Sequence, residues 1–422
     1  MVEDEIPAGW VACKLGEIIE LSYGKSLPAK ARDASGSFDV YGSNGRVGVH
    51  SSWLVKAPAV IVGRKGSAGA VHLAKRNCWP IDTTYFVAEN SAYDLAFAFH
   101  LLKSLQLEEL DRSTAIPGLN RDDAYALRVN LPPLAEQQRI VEKIETLFAE
   151  IEKGEEALRE VQKLLSRYRQ SVLKAAVTGK LIGKGSADWT PVVLGDLLED
   201  IRYGTAKKCW PDGEGTAVLR IPNVVGGEVD LTDLKFTSLT KKELEKLSLR
   251  EGDILIVRSN GSANLVGRGA IVASDAVGMA YAGYLIRLRL DRKRITPEFL
   301  QIVLSSPQIR GRIERQAKST SGVHNLNSAE TKAIAFDLPD LATQAAVVEA
   351  VDEALSRVAH GEAWCETELK RSAALRWTIL KDAFSGRLVP QDPSDEPAEK
   401  LLQRIRATGS AKIKPIRSKV PA

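Results

Sequence analysis

The chain has 422 residues, 44% of them hydrophobic and 27% charged, a composition that excludes a disordered or fibrous protein and predicts at least two cores. No apolar run approaches the roughly eighteen residues of a membrane helix, and the acidic start Met1-Val2-Glu3-Asp4-Glu5 lacks a signal-peptide pattern, so a soluble, cytoplasmic chain without membrane contact is expected. The net charge of +4 is uneven: residues 398–422 hold seven Lys/Arg against Glu399, a local +6 that leaves −2 for the body, so a polyanion would need local basic loops or help from another subunit.

In chain order, Trp10 and the run Leu15-Gly16-Glu17-Ile18-Ile19-Glu20 open a mixed α/β region ending near residue 131. In it, the turn Tyr41-Gly42-Ser43-Asn44-Gly45-Arg46 precedes Ala59-Val60-Ile61-Val62, a predicted buried strand, which leads into Gly63-Arg64-Lys65-Gly66-Ser67. A helical stretch is predicted from Leu95 to Leu107. A much longer helix is then predicted to open at Pro132-Pro133 and to close at Thr178-Gly179, where proline suits the first turn and glycine the left-handed cap. Its apolar seam is Ile140, Ile144, Leu147, Ile151, Gly154, Leu158, Val161, Leu165, Tyr168, Val172 and Ala175, the 4-3 spacing of a coiled coil. About 44 residues at 1.5 Å each give a rod on the order of 65 Å.

A second mixed region follows, with Lys207-Lys208, Arg220, Asn223, the predicted strand Ile254-Leu255-Ile256-Val257, and Arg258-Ser259-Asn260-Gly261-Ser262 through Arg268. Ile286-Arg287-Leu288-Arg289-Leu290 alternates like a half-exposed strand, and Pro297 to Ile313 reads as helix. A second long helix carries the weaker seam Val347, Val351, Ala354, Val358, Gly361, Cys365, Glu368, Ser372, Leu375 and Ile379, which needs the first helix as its partner. The basic tail beyond Pro390 is expected to be a solvated segment.

The order of these elements repeats. Leu131-Pro132-Pro133-Leu134-Ala135-Glu136-Gln137-Gln138 returns as Leu338-Pro339-Asp340-Leu341-Ala342-Thr343-Gln344-Ala345, at an offset of 207 that also pairs Gly154 with Gly361 and Gly179-Lys180-Leu181 with Gly386-Arg387-Leu388. Trp10, the Leu15–Glu20 run and Tyr23-Gly24 reappear as Trp189, Leu194-Gly195-Asp196-Leu197-Leu198-Glu199 and Tyr203-Gly204 at an offset near 179, so the second region holds about 28 more residues (207 minus 179). A weaker echo pairs Val62 through Ala68 with Val257 through Ala263 without a gap. The matched glycines Gly154 and Gly361 imply a close backbone approach or a bend, with a tolerated defect as the alternative.

Catalytic motifs are scarce. No Asn/Asp-Pro-Pro-aromatic clamp occurs, Gly179-Lys180-Leu181-Ile182-Gly183-Lys184 is one spacer short of a phosphate loop and follows a helix, and the five histidines are scattered and read as ordinary surface or satisfied core residues. Cys13, Cys78, Cys209 and Cys365 have no metal or redox spacing, so no metal site is expected. Pro211-Asp212 with Asp233-Leu234-Lys235, and Pro339-Asp340 with Glu368-Leu369-Lys370, fit only the loose signature of Mg²⁺-dependent nucleases. The residues with recognition character are Tyr41, Asn44, Arg46, Arg64, Lys65 and Ser67 in the first half, and Lys207, Lys208, Arg220, Asn223, Arg258, Asn260, Ser262 and Arg268 in the second. Their donors and acceptors suit base edges and phosphates. Any one of these loops is more often a solvated turn, but recurrence in both halves puts a shared functional role on level terms with that reading.

Two variable domains, each ending in a repeated Leu-Pro-x-Leu-Ala-x-Gln helix that closes on Gly-Lys/Arg-Leu, resemble the specificity subunit of type I restriction-modification systems. The resemblance covers nearly the whole chain, and the Tyr-Gly-x-Asn-Gly and Arg-Lys-Gly-Ser turns also look typical of that family. It implies an α+β fold: a target-recognition domain over residues 1–131, a long helix over 132–182, a second such domain over 183–338, a second long helix over 339–389, and the tail 390–422. The two helices would form an antiparallel coiled coil packed through Ile140, Ile144, Leu147, Ile151, Leu158, Val161, Leu165, Val347, Val351, Val358, Leu375 and Ile379. It further implies a non-catalytic reader of double-stranded DNA that docks modification and restriction subunits. S-adenosylmethionine, ATP and Mg²⁺ would belong to those partners and no cofactor to this chain. A coiled-coil assembly adaptor and a metal-dependent nuclease are the alternatives.

Overall fold

The computed structural model describes residues 6–89, 93–110, 118–211, 213–316 and 323–409. They divide into two compact units, Met1–Leu158 with Thr367–Ala422, and Arg159–Glu366. The first is built on a four-stranded sheet in the order Ser22–Tyr23, Thr84–Ala88, Ala59–Gly63, Val71–Ala74, and a three-stranded sheet Gly45–His50, Phe38–Gly42, Cys78–Pro80 whose last pair is parallel. The second repeats this strand for strand: Leu198–Tyr203, Leu285–Leu290, Ile254–Val257, Gly269–Ile271, and Lys235–Thr237, Thr216–Leu219, Ala280–Tyr281, again with a parallel last pair. An antiparallel pair closes each domain at its root, Val11–Lys14 with Arg128–Leu131 and Thr190–Val193 with Ala335–Leu338. The internal repeat is therefore a repeat of topology.

Ala59–Gly63 and Ile254–Val257 are wholly buried, as their unbroken apolar runs require. Two other elements differ from expectation. The stretch 297–313 is two helices, Pro297–Ser305 and Pro307–Gln316, because Pro307 cannot donate to the first and pushes Ser306 to extended backbone. The strand Leu285–Leu290 is not half-exposed: Arg287 is 1% exposed. Its guanidinium pairs with Asp200 and donates to the carbonyls of Lys246 and Ser248, at 3.1 and 3.2 Å, so the charge is compensated inside.

The long helices run Leu134–Ala176 and Leu341–Phe384, 43 and 44 residues. Glycines in the left-handed conformation follow both, Gly179 at φ 68° and Gly386 at φ 73°. The repeated glutamine has a specific task at the other end. Gln137 donates to Pro132 O and accepts from the N–H of Asp94, the residue that caps helix Leu95–Ser104. Gln344 likewise donates to Pro339 O and accepts from the N–H of Thr296, which caps Pro297–Ser305. Both amides are fully buried. Each thus fastens a domain helix to a long helix, whereas the position after it, Gln138 or Ala345, is exposed and free to differ.

Within each unit the helices pair antiparallel. In the first, Phe148 lies under Arg376 and Glu155 accepts from Ser372 at 2.7 Å. In the second, Leu165 packs on Gly361 while Val172 and Ala176 share a core with Val347, Val351 and Ala354. The apolar seam needs correction at Val161, Tyr168 and Leu375, which are 38%, 47% and 48% exposed. A straight α-helix drifts about 20° per heptad against a 3.5 repeat, and the ends of the seam are used elsewhere. Ile140, Ile144 and Ile379 join the first domain's core, and Val347 and Val351 the second's.

The tail is also corrected. Helix Ala398–Gly409 buries Ala398, Leu401, Leu402 and Ile405 in the first unit's core, and Arg406 pairs with Glu17 at 2.8 Å. Lys412, Lys414, Arg417 and Lys419 lie outside the described residues. Among the described residues no helix is long and apolar enough to cross a membrane.

Candidate nucleic-acid interface

In the first unit the two singled-out loops converge on Asp82-Thr83. Ser43 Oγ donates to Thr83 O at 2.6 Å, the N–H groups of Arg64 and Lys65 donate to the same oxygen, and Arg64 Nε and Nη2 donate to Asp82 O at 3.1 and 2.7 Å. Gly63 permits this approach, since a Cβ there would strike Ser67 O. Asn44, Lys65 and Ser67 are exposed. Two residues of the predicted set have other partners. Arg46 pairs with Asp39 at 2.6 Å. Tyr41 is half-buried against the cluster of Val55, Ala59 and Ile61, and burial pushes its phenol pKa up.

In the second unit a cleft of about 740 Å³ gathers Lys207, Lys208, Arg220, Lys235 and Arg258 with Tyr203 and Tyr284, and among the described residues no acidic side chain lines it. The cations are held in place. Lys208 Nζ sits 4.0 Å from the Trp210 ring centroid. Lys207 donates to Glu243 at 2.7 Å, a bond that heads the causes holding that carboxyl down to about 2. Arg220 donates to Asp233 at 2.6 Å. Such exposed pairs cost little to exchange for phosphate contacts.

Asn223 is not brought to the surface. It is 2% exposed, accepts from Arg220 N, and donates to the carbonyls of Asp230 and Asp233, so it shapes the turn and has no edge left for a base. Asn260 accepts from Ser262 N at 2.8 Å as a turn residue, and Arg268 donates to Asn264 O at 2.9 Å. Neither these two nor the exposed Ser262 lines the cleft.

Of the loose nuclease signature, Asp212 lies outside the described residues, Asp233 is engaged by Arg220, and Asp340 accepts from Thr343 N at 2.7 Å as a helix cap. Among the described residues no group of three His, Cys, Asp or Glu could hold a metal. His100 is 5% exposed and its Nδ1 is buried without a partner, so it is not a satisfied core histidine. Burial pushes its pKa down to about 4.

As interface residues Tyr23, Arg121, Tyr203, Lys235 and Tyr284 escaped the sequence reading, which named Tyr23 and Tyr203 only as repeat markers and Lys235 only in the loose nuclease signature. The recurring Tyr-Gly pair was the available signal for two of them. Arg121 lies 5.2 Å from the Tyr23 ring centroid, beside Arg64.

Residues 7–160 match the type I restriction modification DNA specificity domain. The chain is 31% identical over 334 residues to the type I restriction enzyme EcoKI specificity subunit of Escherichia coli (strain K12), covering 75% of this chain and 72% of that protein. The chain belongs to the type I restriction enzyme specificity subunits. This specificity subunit is likewise 31% identical to the StySPI specificity subunit of Salmonella potsdam, over 67% of its own length and 64% of the relative's. Its fold is shared with the HsdS subunit from Thermoanaerobacter tengcongensis, at a TM-score of 0.53 and 21% identity over 92% of this chain and 99% of that one. It is shared too with a chain solved for complex assembly and conformational transition of the type I R-M system, at a TM-score of 0.69 and 19% identity, over 91% and 99%. A specificity subunit supplies sequence-specific DNA recognition to a restriction-modification complex and is not itself the enzyme. The adaptor and nuclease readings fall away.

Proposed function

We propose that residues 1–131 and 183–338 each read one half of a bipartite target in double-stranded DNA. The single observation that carries this reading is the pair of domains with one topology and unlike loops: a convergent turn and loop around Arg64 in one, a cleft around Lys207, Lys208 and Arg258 in the other. One scaffold presenting two different surfaces suits two unlike half-sites. Arg64, Lys65, Asn44 and Ser67 serve the first half, and Lys207, Lys208, Arg220, Lys235 and Arg258 the second, by contacts to base edges and phosphates.

The long helices dock modification subunits, which bring S-adenosylmethionine and methylate adenine, while restriction subunits bring ATP-driven translocation and Mg²⁺-dependent cleavage. The helices also set the number of unread bases between the half-sites. The test is an insertion of four residues just before Thr178, which adds roughly 6 Å of helix and nearly keeps the seam in phase. In cells carrying the cognate modification subunit, the map of methylated adenines should show unchanged half-sites with a changed spacer. Altered half-site bases at constant spacing would show instead that the helices take part in base reading.

A further inference from the structure

Arg64 and Arg258 are held by the same set of contacts in the two units, although the gapless sequence match sets Arg64 against Ser259. Arg64 donates its backbone N–H to Thr83 O and its guanidinium to Asp82 O, and its carbonyl accepts from Leu119 N. Arg258 donates its backbone N–H to Tyr284 O and its guanidinium to Gly283 O, and its carbonyl accepts from Leu326 N. Each guanidinium then lies over the ring of the tyrosine in the recurring Tyr-Gly pair, with Cζ 5.4 Å from the Tyr23 centroid and 4.4 Å from that of Tyr203.

The glycine of the pair is part of the device. A Cβ on Gly24 would strike Ile81 O and one on Gly204 would strike Tyr281 O, so only glycine lets the tyrosine strand come this close to the segment that holds the arginine. The rings are themselves fixed. Tyr23 packs on Tyr85 with centroids 5.1 Å apart, and the Tyr203 hydroxyl accepts from Ser328 N at 2.8 Å. Both tyrosines remain partly open to solvent, at 52% and 37%.

An arginine needed only to tie loops together would be satisfied by its carbonyl bonds. The ring adds orientation: the guanidinium is held against a fixed aromatic face, and the donors not spent on Asp82 or Gly283 keep one direction. Direction matters for a bidentate contact to a base edge, whose donor and acceptor pattern differs from one base pair to the next, whereas every phosphate offers the same oxygens. The surrounding loops have diverged between the halves while this arrangement has not.

We propose that Tyr23 and Tyr203 are positioning residues for base discrimination, each aiming one arginine, Arg64 or Arg258, at one base pair of its own half-site. This rests on the reading of the two domains as DNA readers. The test uses the complex assembled with its cognate modification subunits, mapping methylated adenines and measuring competition between the cognate duplex and single-base variants. Tyr23→Leu should relax one position of one half-site, with selectivity there falling on the order of 10-fold, while the other half-site and the melting temperature stay as they were. Tyr23→Phe, which keeps the ring face, should restore selectivity, and the Tyr203 variants should act on the other half-site.

Wild-type selectivity in Tyr23→Leu, or an equal loss of affinity for all sequences, would overturn the proposal. Should Tyr23→Leu fail to fold, Arg64→Lys poses the same question: lysine has no planar edge to aim, so retained selectivity overturns the proposal. Arg64→Ala separates the two levels. If it relaxes a position while Tyr23→Leu does not, only the positioning role is wrong. If Arg64→Ala and Arg258→Ala both leave selectivity intact, the assignment of these arginines as base readers fails with it.

Discussion

The two domains share one frame and differ at two positions that the frame brings into correspondence. Where the central sheet of the first unit sets the partly buried Phe86, paired with Ile61, that of the second buries Arg287, paired with Leu255. On the adjoining helices, Phe97 matches Phe299, and His100 then falls where the second unit has Ile302. The difference teaches what the extra length of the second domain requires. Helix Lys241–Leu247 belongs to it, and the carbonyls of Lys246 and Ser248 at its end accept from Arg287 and Arg289. Those arginines are paired with Asp200 and Asp253. The added segment is thus fastened by a buried ionic network that the shorter domain has no use for.

The largest expected effect lies in that network. Asp253 is 2% exposed, accepts both guanidinium bonds of Arg289 at 2.8 and 2.7 Å, and accepts from Arg250 N. Asp253→Ala strands buried positive charge and should cost the second unit about 3–5 kcal/mol. Hydrogen exchange should show the loss in residues 198–290 and leave strands Ala59–Gly63 and Thr84–Ala88 protected. Equal loss in both units would mean that their stabilities are not separable.

A smaller effect separates the units by pH. His100 titrates near 4 when folded, mainly because burial disfavours its charged form, against an ordinary value of 6.5. The unfolded chain therefore binds the extra proton between those values, and stability is present above about 6.5 and lost as the pH falls toward 4. At pH 5 the first unit should be weaker by about 2 kcal/mol than at pH 8. His100→Ile, which installs the residue of the other unit, should abolish that part of the acid sensitivity in thermal unfolding measured across the range.

The smallest contrast sits on the helices. Gly361 packs under Leu165, whose Cδ1 would lie 3.0 Å from an added Cβ, while a Cβ on Gly154 would meet nothing within 4 Å and faces a groove. Gly154→Ala should stabilise by up to about 1 kcal/mol through helix propensity alone. Gly361→Ala should gain less or lose stability. A calorimetric pair in which both gain equally would show that Leu165 yields freely.

Much of this frame could be read from the residues, for reasons that are local. The long helices declare themselves through period and terminal glycine, and the buried strands through unbroken apolar runs. What could not be read depends on partners far along the chain. Arg287 looks like the exposed side of an alternating strand because its carboxylate partner is 87 residues away. The role of Gln137 is invisible because its bond closes on Asp94, 43 residues back. Asn223 has the chemistry of a base reader, but its amide is consumed by a turn. Tyr23 and Tyr203 repeat plainly in the sequence, yet only the fold places an arginine over each.

The central claim is that each unit reads its own half of the target. The most direct measurement exchanges residues 10–131 for the corresponding domain of a relative with a different target, in cells that carry the modification subunit, and maps every methylated adenine. One half of the methylated sequence should change to that of the donor while the other half and the spacer persist. A site altered in both halves, or in neither, would contradict the account.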